Sequence, residues 1–118
     1  MVKKTAILYV DDEEINLKMF ELNFSKGFEV HTTKNPLEAL EILNKQKNIT
    51  VVVSDMRMPH LNGIEFIRKA KQRFSGIKYF LLTGYEISEE INAALDEGII
   101  LKYFQKPCNC EDLKKEIE

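Results

Sequence analysis

The chain has 118 residues, enough for one domain with a real core and too few for two. Hydrophobic residues make up 44% and charged residues 31%, a balance that excludes a disordered, fibrous or membrane-embedded chain. The formal net charge is −2 with both signs interspersed; no basic stripe faces a phosphate backbone, so direct nucleic-acid binding is not expected.

Taken in chain order, Lys3 and Lys4 precede an apolar stretch at 6–10 that is too short for a signal-peptide core or a membrane span. A cytoplasmic location is expected. Residues 7–10 read as a first strand that stops at Asp11-Asp12, with a first helix starting from Glu13. Residues 28–32 are more polar and fit an edge strand. Asn35-Pro36-Leu37-Glu38 supplies a cap, a first-position proline and an acid for the next helix, whose Ala39, Leu40 and Leu43 face the core. Residues 49–53 form a third, nearly continuous apolar run before Ser54-Asp55. Asn62-Gly63-Ile64-Glu65 repeats the Asn-x-x-Glu box, with Ile67, Ala70 and Phe74 as the buried face. Residues 79–82 give a fourth strand before Thr83-Gly84. Ser88 ahead of Glu89-Glu90 starts a helix that buries Ile91, Ala94 and Leu95. The run 99–104, broken by Lys102, reads as the fifth strand, and Asn109 ahead of Glu111-Asp112 caps the last helix. The two cysteines, Cys108 and Cys110, form a C-x-C pair that does not easily close an unstrained disulfide, so free thiols are expected.

Strand and helix alternate without linker, repeat or low-complexity tract. The expected fold is α/β: a three-layer doubly wound sheet of five parallel strands with right-handed crossovers and the flavodoxin-like order 2-1-3-4-5, one domain over residues 1–118. In open sheets of this kind ligands bind beyond the carboxyl ends of the strands. Asp11 and Asp12 follow strand one, Asp55 ends strand three, Thr83 ends strand four and Lys106 follows strand five. Singly, each has an ordinary explanation as a turn former, helix cap or surface lysine. Together they place three carboxylates and an ammonium at one edge. Such carboxylates repel one another and raise one or more pKa values unless a hard cation sits among them, which points to a divalent metal.

The pattern Asp11-Asp12, Asp55 with Met58-Pro59 and Asn62-Gly63-Ile64-Glu65, Thr83-Gly84, and Tyr103 with Lys106-Pro107 resembles the receiver domain of two-component response regulators over essentially the whole chain. The resemblance implies that Asp55 accepts a phosphoryl group from a histidine kinase or a histidine phosphotransfer protein. It implies that Asp12 and Asp55 hold Mg²⁺ directly, Asp11 largely through water, and that the backbone carbonyl of Arg57 completes the protein ligands. Lys106 and Thr83 would engage the phosphoryl oxygens, and Tyr103 would turn inward behind Thr83 as the switch. Arg57 and Tyr85 occupy positions that tune how readily water reaches the phosphate, and two large side chains there imply slow self-hydrolysis. By the same analogy the first helix and the 107–109 loop face the kinase. The face of the fourth helix, fifth strand and fifth helix meets an output domain, a partner protein or a second copy. Cys108 stands where many receivers have an aromatic residue, and Gly84 where alanine is frequent.

Three rival readings fit these residues less well. A haloacid-dehalogenase-type phosphatase needs a second aspartate two residues after the first, where this chain has Arg57. A flavodoxin-like flavin carrier needs a phosphate loop after strand one, where Asp11-Asp12-Glu13-Glu14 repels phosphate instead. A degenerate receiver acting only as an interaction module lacks part of the acidic, threonine and lysine set, which is intact here. The expectation is a signalling module, not an enzyme, either standing alone or cut from the front of a longer protein.

Overall fold

The computed structural model describes residues 4–84, 88–107 and 110–118. Within them five strands alternate with five helices: β1 (Thr5–Val10), α1 (Glu14–Phe24), β2 (Phe28–Thr33), α2 (Pro36–Lys45), β3 (Ile49–Asp55), α3 (Gly63–Arg73), β4 (Lys78–Thr83), α4 (Glu89–Asp96), β5 (Lys102–Gln105) and α5 (Cys110–Ile117). All strand pairs are parallel, in the order β2-β1-β3-β4-β5 that the sequence predicts. The more polar β2 lies at an edge, and the apolar β1, β3 and β4 lie inside.

Successive residues of a strand point to opposite faces, so each central strand feeds two cores. Leu8, Val10, Val52, Tyr79 and Leu81 pack with α2, α3 and α4 on one side. Ile7, Tyr9, Val51, Val53, Phe80 and Leu82 pack with α1 and α5 on the other. Leu40, Phe74 and Leu95, expected in the core, are only partly buried at its margin. Phe74 lies just past the end of α3, where Lys47 and Arg73 cover its ring at 5.6 and 5.4 Å.

The cap signals work as read, with one variation. Asn62 and Glu65 close a full capping box on α3, and the Ser88 side chain accepts from the Ile91 amide at the start of α4. At α2 the Asn35 side chain accepts from Leu37, but Glu38 turns instead to the Thr33 hydroxyl, which in turn accepts from the Asn35 amide. The expected cap at Asn109 lies outside the described residues.

The fifth strand is shorter than the apolar run 99–104 implies. Gly98 adopts a left-handed φ of 74°, and the amides of Ile99 and Ile100 both turn back to the Ala94 carbonyl at the end of α4. Those two isoleucines terminate a helix and plug its end into the core; sheet pairing begins only when the Leu101 amide reaches Tyr79.

Candidate functional site

Parallel register decides which residues meet. Val10 lies opposite Ser54, Asp55 opposite Leu82, and Thr83 opposite Gln105. One step beyond, Asp11 therefore stands beside Asp55, and Lys106 emerges one strand past Thr83. Parity adds a second constraint: Asp11 continues the Ile7-Tyr9 face and Asp55 the Val51-Val53 face, both toward α1 and α5. Thr83 shares the parity of Tyr79 and Leu81, toward α3 and α4.

Asp11 and Asp55 are both buried, and Asp12 is partly exposed. Carboxylate oxygens of the three lie within 4.8 Å of one another, a cluster that could hold a metal ion. The Lys106 ammonium bridges two of them, 2.9 Å from Asp11 Oδ2 and 3.0 Å from Asp55 Oδ1. The Met56 amide donates to the same Asp55 Oδ1 at 2.9 Å. Burial, then the charge of Asp11, pushes the Asp55 carboxyl up to about 6, against the pull of Lys106 and the Met56 amide. Burial works to lower the Lys106 pKa, yet hydrogen bonds and charge from Asp11 and Asp55 leave it raised.

The backbone under these groups is tied across strands. The Asp11 amide donates to the Thr33 carbonyl, that of Met56 to Leu82, and that of Lys106 to Thr83. The amide of Gly63, the first residue of α3, reaches the Met56 carbonyl at 2.7 Å. A Cβ at Gly63 would overlap the Asp55 carbonyl and the Leu81 side chain. Only glycine lets α3 start against the end of β3.

Of the remaining residues marked in the sequence, Thr83 is fully buried at its strand end and Arg57 is exposed in the loop after β3. Tyr103 is half-buried opposite Leu81. Tyr85 and Cys108 lie outside the described residues, and Cys110 is a free thiol. Sequence reasoning missed Tyr9, whose hydroxyl donates to Asp11 Oδ2 at 2.6 Å inside the core. The available signal was its place two residues before Asp11, on the same face of the strand.

Two clefts flank the acidic cluster. One, of about 280 Å³, runs between α1 and the end of β5 and is lined by Tyr9, Asn16, Met19, Phe20, Lys106 and Pro107 among others. The other, of about 430 Å³, includes Arg57, Met58, Thr83, Ser88 and Glu90. Along α1, Ile15, Met19 and Leu22 form an exposed apolar stripe at helical spacing. Among the described residues no helix is long and apolar enough to cross a membrane.

A sequence model described as "Response regulator receiver domain" matches residues 7–118. The chain belongs to the response regulator receiver family. This receiver is 33% identical to the hydrogenase transcriptional regulatory protein HoxA of Cupriavidus necator over 105 residues, 89% of this chain and 22% of that protein. Sporulation initiation phosphotransferase F of Bacillus subtilis is 27% identical over 113 residues, 95% of this chain and 90% of that protein. The solved structure of chemotaxis protein CheY4 of Vibrio cholerae matches the receiver with a TM-score of 0.87 at 27% identity, covering 97% of this chain and 96% of that one. The receiver spans about a quarter of the length of the transcriptional regulators it matches. Receivers are signalling modules of two-component regulators, and the acidic edge is consistent with that role.

Proposed function

We propose that residues 1–118 form one receiver domain that accepts a phosphoryl group on Asp55 and passes the change to an output surface. The observation that carries the reading is the pairing of Lys106 with both Asp11 and Asp55 at a single strand-end edge. The donor is a phosphohistidine on a kinase or a phosphotransfer protein. A bond forms between an Asp55 oxygen and phosphorus as the bond from phosphorus to the histidine nitrogen breaks, and the imidazole leaves. With its pKa near 6, Asp55 is largely ionised at neutral pH, so no separate general base is needed. Oδ1 is engaged by Lys106 and Met56, so Oδ2 is the oxygen suited to attack.

The cluster fits a hard cation: three carboxylates offer oxygen ligands at close range, and the partly exposed Asp12 leaves room for water. Asp12, Asp55 and the Arg57 carbonyl would hold Mg²⁺, with Asp11 acting largely through water. When bound, the ion supplies positive charge to the acidic cluster and to the phosphoryl oxygens. Lys106 supplies a second, fixed positive charge, and the Thr83 hydroxyl a hydrogen-bond donor once the acyl phosphate exists.

The signal leaves through β4 and β5. Thr83 and Lys106 are joined by a backbone hydrogen bond of 2.8 Å, and Tyr103 lies on β5 opposite Leu81. Drawing Thr83 toward the phosphate opens room behind it for Tyr103, which biases the face of α4, β5 and α5 toward one arrangement. That face meets the output domain, a separate partner or a second copy. The exposed stripe Ile15-Met19-Leu22 and the cleft beside Pro107 favour α1 as the side that meets the phosphodonor. Arg57 and Tyr85 restrict water and prolong the phosphoryl lifetime. No part of this activity requires a nucleic acid or a membrane, and it is suited to the cytoplasm.

The test is intact mass after incubation with Mg²⁺ and a small acyl-phosphate donor, on this chain and on Asp55→Asn. One phosphoryl adduct that needs both Mg²⁺ and Asp55 is expected. A folded, Mg²⁺-binding chain that gains no adduct from either a small donor or a phosphohistidine protein would instead be an interaction module.

A further inference from the structure

Asp11 Oδ2 accepts from two donors of different kinds. One is the Lys106 ammonium at 2.9 Å, a mobile charge on a four-carbon stem that is shared with Asp55. The other is the Tyr9 hydroxyl at 2.6 Å, held on a ring that is almost wholly buried. The Tyr9 ring stacks on Phe20 at 4.3 Å and 16°, and Phe20 stacks on Phe24 at 4.1 Å and 4°. Asp11 Oδ1 meanwhile accepts from the Glu13 amide at 3.0 Å. The carboxylate is thus pinned at both oxygens by groups that cannot move far, and visited by one that can.

We propose that Tyr9 is a positioning residue of the acidic pocket: its hydroxyl holds Asp11 in place while Lys106 turns from Asp11 to an anion carried on Asp55. The inference rests on the receiver reading and adds to it a residue outside the acidic, threonine and lysine set. An anion on Asp55 brings three acceptor oxygens into reach of the ammonium, which must share or give up its contact with Asp11. Asp11 has no exposed surface, and a buried carboxylate that loses a donor without replacement is strongly disfavoured. A standing O–H donor on the same oxygen removes that obstacle. Because the ring is already clamped against Phe20, the donor is in place before the anion arrives and needs no reordering. Tyr9 also floors the cleft beside α1, so the group that steadies Asp11 lies within reach of whatever docks there.

Tyr9→Phe keeps the ring, the stacking and the cleft wall while deleting the donor. Three quantities separate positioning from structure: affinity for beryllofluoride, an analogue of the phosphoryl group, at saturating Mg²⁺; affinity for Mg²⁺ alone; and the midpoint of thermal unfolding. Fluorine NMR reports the first and titration calorimetry the second. The expected result is beryllofluoride binding weakened about tenfold, with Mg²⁺ affinity within about threefold of the parent and an unfolding midpoint within a few degrees of it. In the parent protein, the Tyr9 hydroxyl proton should stay hydrogen-bonded and protected from exchange both with and without beryllofluoride. Equal beryllofluoride affinity in the two proteins, or loss of that proton signal on binding, overturns the role of Tyr9 and leaves the receiver reading standing. A parent protein that binds Mg²⁺ yet takes up no beryllofluoride overturns both.

Discussion

Asp55 is a carboxyl group under opposing influences. Burial and Asp11 favour its proton, whereas Lys106 and the Met56 amide favour its charge, and the outcome is a pKa near 6 against an ordinary 3.8. The folded state therefore binds a proton more tightly than the unfolded chain does. Its contribution to stability is fully present below about pH 4 and is lost as pH rises through about 6, costing on the order of 3 kcal/mol at neutral pH. In chelator-treated buffer, Asp55→Asn should be more stable than the parent at pH 7 by roughly that amount, with the difference vanishing near pH 4. Urea unfolding across that range checks both the size and the sign. The acidic residues and Lys106 were legible in the sequence because each follows an apolar run, and a strand end is a place that chemistry can use. Tyr9 was not, because within such a run an aromatic residue reads as core; the hydroxyl that makes it different has a partner only once the strand face is known. The opposite parity of Thr83 was likewise implicit in the alternation of β4, and becomes meaningful only with the register to β3 and β5.

At the scale of the element, the start of α3 shows how closely helix and site are joined. The capping box of Asn62 and Glu65 satisfies amides at the helix start, and Gly63 lets the first turn sit on the backbone of Asp55. These two devices should fail differently. Asn62→Ala removes one cap acceptor and should cost about 1 kcal/mol of stability, and should leave the phosphoryl adduct proposed for Asp55 unchanged. Gly63→Ala drives a methyl group into the Asp55 carbonyl and Leu81, and should cost about 3 kcal/mol or more, since overpacking against backbone has no flexible neighbour to relax into. Where Gly63→Ala still folds, the small-donor adduct proposed for Asp55 should form more slowly than in Asn62→Ala, because the displaced atom is the carbonyl of Asp55 itself. Helix starts were readable because a cap is a local signal of four residues. The fifth strand was not, because one apolar run, 99–104, serves two elements; its first residues spend their amides on the end of α4, and its last ones pair with β4.

Over the whole molecule, a three-layer sheet with apolar cores on both faces gathers Asp11, Asp12 and Asp55 at the carboxyl edge that both cores support. The repulsion stored there is a cost to the entire fold, and a cation that binds only the folded arrangement recovers it. Binding at about a hundred times the dissociation constant stabilises the folded state by about 2.7 kcal/mol, whatever the affinity. For a chain of this length that corresponds to a rise of very roughly 10 °C in the unfolding midpoint. Mg²⁺ at such an excess should therefore raise the midpoint by about that much at pH 7.5. At pH 5, below the Asp55 pKa, a proton competes for the same carboxylate, so a fixed Mg²⁺ concentration should give a smaller rise. Asp55→Asn should lose most of the gain at pH 7.5 despite its greater metal-free stability, so the gap between the two proteins should narrow as Mg²⁺ is added. A scan of unfolding midpoint against Mg²⁺ at the two pH values checks this directly. Parallel curves for parent and variant would mean that the cation binds elsewhere and that the buried carboxyl group plays no part in holding it.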